Sequence, residues 1–226
     1  MPIIGPNDLK DISWLKQCLK LTRSVACILR QDAAPATGFL IAPDLLMTNW
    51  HVLWDRDIAS KSKAIFNQEK DWSGNSESPM EYEFDPIPLI NFTSDNILDY
   101  AIVRVRDKPG ERFGWVDLGL RCRRKPHKNT PLIIIQHPAG GPKQIALYQN
   151  RAKNPKKDND KNKIYYTGDT DSGSSGSPVF DHNCNIVALH SGGGSRTRAG
   201  TYNTNVGQFI NSIVEKERKF LGLPDD

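Results

Sequence analysis

Apolar residues are distributed along this chain in two ways. At the two ends they recur at helical spacing, and between the ends they come in short runs broken by Gly, Pro, Asn and Asp. Asn7 to Arg23 predicts a helix capped at Asn7 or Asp8, with Leu9, Ile12, Leu15 and Leu19 along an apolar face. Asn205 to Leu221 predicts a closing amphipathic helix. In it Val206, Phe209, Ile210, Ile213 and Val214 pack inward while Glu215 to Lys219 stay in water.

The runs between them predict strands at Val25–Leu29, Gly38–Ile41, Leu45–Asn49, Ile102–Val105 and Leu132–Gln136. Further runs fall at Ile145–Gln149, Ile164–Thr167, Val179–Phe180 and Ile186–His190. Many short strands with this punctuation imply an all-β antiparallel barrel or sandwich. Lys61–Pro88 is polar and predicts surface excursions around one or two weak strands. Arg151–Lys163 (RAKNPKKDNDKNK) predicts a solvated loop. No internal repeat or low-complexity linker is present. Two barrels would divide near Arg112–Lys128, giving a helical segment 1–24, a first barrel 25–115 and a second barrel 116–226.

Composition adds limits. At 226 residues, 38% hydrophobic and 25% charged, the chain can bury one or two cores. A net charge of +4 is modest. Its basic clusters, Arg121–Lys128 and Arg151–Lys163, imply local basic patches rather than a nucleic-acid coat, and the second has docking of an acidic partner as its functional alternative to a plain loop. They lack interleaved aromatics, which argues against nucleic-acid binding. The start MPIIGPNDLKDISWLK lacks a secretory pattern, and no run of about 18 apolar residues predicts a membrane span. Cys18, Cys27, Cys122 and Cys184 show no CxxC spacing, which predicts thiols in a reducing cell and a cytoplasmic setting. His127 and His182 have no metal-ligand spacing, so no metal or other cofactor is implied.

Three stretches carry chemistry. In Asp171-Ser172-Gly173-Ser174-Ser175-Gly176-Ser177-Pro178, two glycines flank a serine on a tight turn. A hydroxyl nucleophile needs that exposure, with backbone N–H groups converging on the developing oxyanion. Gly173 permits a backbone conformation costly for other residues, so its N–H can point inward beside that of Ser175. In Leu45–Val52 an apolar strand ends at His51, a residue whose ordinary pKa near 6.5 suits proton shuttling. Asp99 opens the apolar stretch Tyr100–Val105. A carboxylate partly withdrawn from water there needs a partner, and a histidine ring N–H supplies one.

Together these residues, in the order His51, Asp99, Ser175, resemble the chymotrypsin-like serine peptidases, in particular the bacterial branch that includes the glutamyl endopeptidases. The likeness rests on TNWHV around His51, DYAIV around Asp99, GSSGSP around Ser175 and LHSGGG from Leu189 to Gly194. It runs from about Val25 to Leu221. It implies two six-stranded antiparallel β-barrels with a terminal helix at each end. It also implies a catalytic triad His51–Asp99–Ser175 and an oxyanion hole of the Gly173 and Ser175 N–H groups. Substrate is to pair with Ser191, Gly192 and Gly193 as an added strand. The turn Gln136–Pro142 also resembles that family, with a structural role.

Two departures matter. Trypsin-type activation pairs a new N-terminus with an aspartate just before the nucleophile, and Ser174 stands there instead. The site is then either already formed or ordered by an activating partner protein or domain, and Ile3-Ile4-Gly5 is a coincidence. The primary pocket has two readings. Thr170 and His190 match the places where glutamyl endopeptidases grip a P1 side chain, implying Glu or Gln. Asp169 matches the trypsin carboxylate, implying Arg or Lys. A structural alternative bonds His190 to Thr170. The resemblance implies a protein or peptide substrate, with controlled bacterial cytoplasmic cleavage and antiviral defence by analogy. The rival is a peptide-binding scaffold without turnover.

Overall fold

The computed structural model describes residues 9–31, 33–121, 125–153, 161–194 and 203–224. Among the described residues fourteen strands form two antiparallel sheets of seven. The first sheet comprises β1 (Val25–Arg30), β2 (Ala33–Ala42), β3 (Leu45–Thr48), β4 (Lys63–Phe66), β5 (Met80–Glu83), β6 (Phe92–Asp95) and β7 (Tyr100–Arg104). Its order is β5-β4-β1-β2-β3-β7-β6. The second comprises β8 (Leu132–Gln136), β9 (Gln144–Ala146), β10 (Ala152–Lys153), β11 (Lys163–Tyr166), β12 (Pro178–Asp181), β13 (Ile186–Gly193) and β14 (Asn205–Phe209). Its order is β10-β11-β14-β13-β12-β8-β9. Helices are α1 (Ile12–Arg23), α2 (Arg56–Ser60), α3 (Gly110–Phe113), α4 (Leu118–Arg121) and α5 (Ile210–Glu217).

The expected six strands per barrel are therefore seven per sheet, and neither sheet is seen as a closed ladder. Single bridges, Phe84 to Val105 and Pro131 to Arg151, draw the ends of each sheet together. The extra strands are short or polar. β5 reads MEYE, β6 reads FTSD and β10 has two residues, so none carries an apolar run.

Alternation along the strands divides the core in three. Val25, Phe39, Met47 and Ile102 face a core shared with Ile133, Ile135, Phe180 and Leu189 of the other sheet. Their neighbours Ala26, Leu40, Leu46 and Val103 fill the interior of the first sheet. Leu132, Ile134, Val179 and Ala188 fill that of the second. Both faces of the central strands are thus buried, which is why runs such as LIII are continuous rather than alternating.

The ends differ from expectation. Asp11, whose side chain accepts from the Ser13 N–H, caps α1, while Asn7 and Asp8 lie outside the described residues. The buried face of α1 is Cys18 and Leu21 with Trp14 beside it. Leu9, Ile12, Leu15 and Leu19 are exposed, the reverse of the expected face. Trp14 Nε1 donates to the His182 carbonyl, and Cys18 Sγ lies 3.4 Å from Cys184 Sγ. Those two contacts at the β12–β13 turn set the rotation of the helix, which spacing alone could not. Cys18, Cys27 and Cys184 are buried thiols, and Cys122 lies outside the described residues.

At the other end Asn205–Phe209 is strand, not helix, because it pairs with β13 on one side and β11 on the other. The helix begins at Ile210 and buries Ile210, Ile213 and Val214 as expected. Ile145–Gln149 contributes a strand only over Gln144–Ala146. Much of both basic clusters, 122–124 and 154–160, lies outside the described residues. Among the described residues no helix is long and apolar enough to cross a membrane.

Candidate active site

His51 and Asp99 meet because their strands do. β3 and β7 are antiparallel with Thr48 opposite Ala101, so the chain leaving β3 and the chain entering β7 emerge side by side. Asn49 Nδ2 donates to the Asp99 carbonyl at 2.9 Å, and the His51 N–H donates to Asp99 Oδ1 at 3.2 Å. The ring Nδ1 of His51 then lies 2.9 Å from Oδ1 and 3.1 Å from Oδ2. A carboxylate can only accept there, so the ring proton sits on Nδ1 and Nε2 presents a lone pair. Asp99 takes φ +47°, a conformation an aspartate tolerates better than most residues. Its carboxylate is shielded, whereas the His51 ring is exposed.

Ser175 comes from the second sheet, on the loop between β11 and β12. That loop hangs from the first sheet through Thr37. The Thr37 N–H donates to the Ser175 carbonyl at 2.8 Å and its hydroxyl to the Gly173 carbonyl at 2.7 Å. Thr48 Oγ1, three residues before His51, donates to the Thr37 carbonyl at 2.8 Å. Gly176 has φ +86°, and a Cβ there would stand 2.0 Å from the Thr37 carbonyl oxygen. The Ser175 hydroxyl itself is turned to the Ser191 carbonyl at 3.4 Å. No hydrogen bond joins it to His51 in this conformation. The structure thus pairs His51 with Asp99 and sets Ser175 on a loop tied to β2, the neighbour of β3, with the serine–histidine link unmade.

The turn after β8 supports this loop, which gives the Gln136–Pro142 stretch its structural role. The Ala139 N–H donates to the Ser172 carbonyl at 2.5 Å, and the His137 N–H to Thr37 Oγ1 at 3.0 Å. Since C=O and N–H of a trans peptide point opposite ways, the Gly173 N–H faces away from Ala139. Neither the Gly173 nor the Ser175 N–H has a protein acceptor among the described residues. Ser174 is buried and satisfied locally: its Oγ accepts from the Asp171 N–H and its carbonyl from Ser177 Oγ. It thus forms no ion pair.

Beside Ser175 opens a cleft of about 610 Å³, lined among others by Asp169, Thr170, His190, Gly192 and Gly193. Ser191 is not part of this lining. Its carbonyl holds the Ser175 hydroxyl instead. β13 pairs with β12 only as far as Leu189, so Ser191–Gly193 keep one edge unpaired toward the cleft. Asp169 is not a sunken carboxylate: Gln136 Nε2 holds its carbonyl at 2.9 Å, and the residue is exposed. The structural alternative for His190 is also corrected. Its Nδ1 lies 2.6 Å from the Tyr166 hydroxyl, while Thr170 bonds Asn205. Sequence reasoning missed Thr37, Tyr166 and Asn205. Tyr166 and Asn205 are opposite one another across β11 and β14, a pairing that the helix assignment for Asn205–Leu221 had hidden.

Two histidines near the site are held neutral. Burial depresses both His190 and His137 to about 4. A charge on His51 would add to the effect at His190 while Asp99 opposes it, and Lys143 opposes the Gly141 bond at His137. A depressed histidine stabilises the fold in full above its unfolded value near 6.5 and loses that contribution as pH falls toward 4. Melting temperature is therefore expected to drop steadily from pH 7 to pH 4.5. Each histidine contributes at most about 1.4 kcal/mol per pH unit. Differential scanning fluorimetry of His137→Asn should show a shallower acid slope than the parent.

The class that this fold and site define is the serine endopeptidase. The family model for the trypsin-like peptidase domain matches residues 36–189, and the chain belongs to that family. The uncharacterized protein y4fB of Sinorhizobium fredii (strain NBRC 101917 / NGR234) is 31% identical over 208 residues, covering 84% of this chain and 31% of its own length. A solved Glu endopeptidase in complex with MPD is 26% identical at TM-score 0.60, over 89% of this chain and 91% of that one. The Rv3671c protease from M. tuberculosis in its active form shares the fold at TM-score 0.63 with 18% identity, over 99% of this chain and 96% of that one. The chain spans 31% to 54% of the lengths of the curated relatives it matches.

Proposed function

We propose that the chain hydrolyses peptide bonds through an acyl-enzyme on Ser175, with His51 as base and then acid and Asp99 orienting it. The observation that carries this reading is the bidentate approach of Asp99 to His51 Nδ1, beside a serine loop anchored to Thr37 of β2, which Thr48 of β3 bonds in turn. The Ser175 hydroxyl leaves the Ser191 carbonyl, gives its proton to His51 Nε2 and attacks the substrate carbonyl. The N–H groups of Gly173 and Ser175 take the oxyanion, and one such donor contributes about 2.7–4 kcal/mol. His51 then protonates the leaving amine, and water releases the acyl group.

Cut-site neighbours of the substrate pair with the open edge of Ser191–Gly193. The P1 side chain is Glu or Gln, held by Thr170 and His190. The place of Asp169 on the lining of the cleft supports Arg or Lys as the second reading. Ser174 in place of a carboxylate supports a site that needs no new N-terminus. The unmade Ser175–His51 link supports completion by substrate or by an activating partner or domain. We extend the proposal to a cytoplasmic enzyme acting on a restricted target.

The test is labelling with a fluorophosphonate, with the adduct mapped by mass spectrometry. Modification of Ser175 is expected. A protein that stays unlabelled while folded is a scaffold. Asp99→Asn should leave the label site unchanged but slow the reaction about 10⁴-fold, because the wrong imidazole tautomer then faces the serine.

A further inference from the structure

We propose that the primary pocket is built for an uncharged carboxamide, so that the enzyme selects Gln over Glu at P1. This rests on the peptidase reading above and deepens it. Among the polar groups lining the pocket, His190 and Thr170 have hydrogen-bond partners that fix where their protons lie.

His190 comes first. Its ring is buried, lines the cleft and makes one hydrogen bond, Nδ1 to the Tyr166 hydroxyl at 2.6 Å. Tyr166 is fully buried, and burial holds its phenol firmly protonated. Were Nδ1–H the donor, the phenolic proton would have no acceptor among the described residues, and an orphaned buried donor is costly. Tyr166 therefore donates to Nδ1. The neutral ring then carries its proton on Nε2, where the pocket meets an N–H donor. An imidazolium would need Nδ1–H and would orphan the same phenolic proton. The tyrosine thus opposes protonation of His190 beyond the effect of burial.

Thr170 is the other group. Its hydroxyl donates to Asn205 Oδ1 at 3.0 Å. The amide cannot be turned round, because Asn205 Nδ2 donates to the Gly168 carbonyl at 2.7 Å. With its one proton committed to Asn205, Thr170 offers the pocket lone pairs only. One donor and one acceptor match a carboxamide, whose C=O accepts from His190 and whose NH₂ donates to Thr170. A carboxylate has no proton to give and would set an anionic oxygen against the Thr170 lone pairs. The charges agree: among the described residues lining the pocket none is Lys or Arg, whereas Asp169 and Asp171 are acidic.

The test uses peptides identical except for P1 Gln, Glu, Arg or Leu, with kcat/KM measured on the full chain and Ser175 labelling run in parallel. At pH 7.5 Gln is expected to exceed Glu at least tenfold. The Glu:Gln ratio should rise as pH is lowered toward 5, since a protonated carboxyl regains a donor. Any pH effect common to both substrates cancels in that ratio. Tyr166→Phe frees Nδ1 to carry the proton and should reduce the Gln:Glu ratio at least fivefold, with rates normalised to the labelled fraction of Ser175. Asn205→Ala releases the Thr170 proton and should move the ratio the same way. A purely structural role for either residue would lower both rates and leave the ratio alone. Equal or better cleavage after Glu, or preference for Arg, overturns the carboxamide proposal while the peptidase reading stands. An unlabelled Ser175 with no peptide cleaved overturns both.

Discussion

Replacing Ser175 with alanine is expected to lower kcat/KM for a cleaved peptide by about five to six orders of magnitude while leaving the melting temperature almost unchanged. The two halves of that expectation have separate grounds. On the proposed mechanism the hydroxyl is the group that bonds the substrate carbonyl covalently, so its loss removes the acyl-enzyme route. What remains is the modest acceleration that binding and the two amides provide. The hydroxyl contributes little to the fold, for its one contact is a long bond of 3.4 Å to the Ser191 carbonyl. The loop is held by its backbone, through the Gly173 and Ser175 carbonyls and the Gly176 N–H, and alanine keeps every one of those bonds. Steady-state kinetics with a sensitive peptide, alongside thermal melts of both proteins, tests the pair of claims. A variant that retained even one hundredth of the parent rate would displace Ser175 as the nucleophile.

Gly176→Ala is expected to have the largest structural effect of any single methyl addition near the site. The added carbon would meet the Thr37 carbonyl oxygen at 2.0 Å and Thr48 Oγ1 at 2.3 Å, both on strands of the first sheet. Backbone cannot swing aside as the tip of a lysine can, and the positive φ of +86° penalises alanine independently. The loop must therefore move off Thr37, breaking the bonds that hang Ser175 beside His51. A stability loss of roughly 3–5 kcal/mol is expected, in the range reserved for backbone strain combined with overpacking. Turnover should fall at least a thousandfold in whatever protein remains folded. Gly114→Ala is the matched control: φ is +76°, but nothing lies within 4 Å of the added carbon. Its backbone, with ψ 178°, still disfavours any side chain, so the change should cost about 1–3 kcal/mol and leave activity intact. Chemical denaturation and peptide turnover on both variants separate steric eviction of the loop from glycine strain in general.

The legible parts of the fold were those where one physical signal dominated. Leu132–Gln136 is a strand with no ambiguity because five apolar or amphipathic residues in a row can be buried on both faces only between two cores. His51 and Asp99 were legible as partners because each ends or opens such a strand. Asn205–Phe209 was misread because Val206 and Phe209 fall at helical spacing with the true helix that follows. Only pairing with β11 and β13, invisible in a local window, makes it a strand. The face of α1 was misread for a related reason. Four large apolar residues mark one stripe, yet tertiary contacts of Trp14 and Cys18 decide which stripe is covered. In the pocket, residue types at Thr170 and His190 were legible, but the direction of their protons was not. That depends on Tyr166 and Asn205, neighbours set by sheet register rather than by sequence distance.

Thr37 has a consequence for how this molecule comes into being. One side chain on an early strand accepts from the His137 amide and supports the Gly173 carbonyl, while its own backbone grips Ser175. During synthesis the acid–base pair emerges from the ribosome long before the nucleophile stretch. That stretch, once made, has no scaffold until the earlier half has already folded and waits for it. On the peptidase reading proposed above, the nucleophile would gain its place beside the base only once the strand bearing Thr37 is folded.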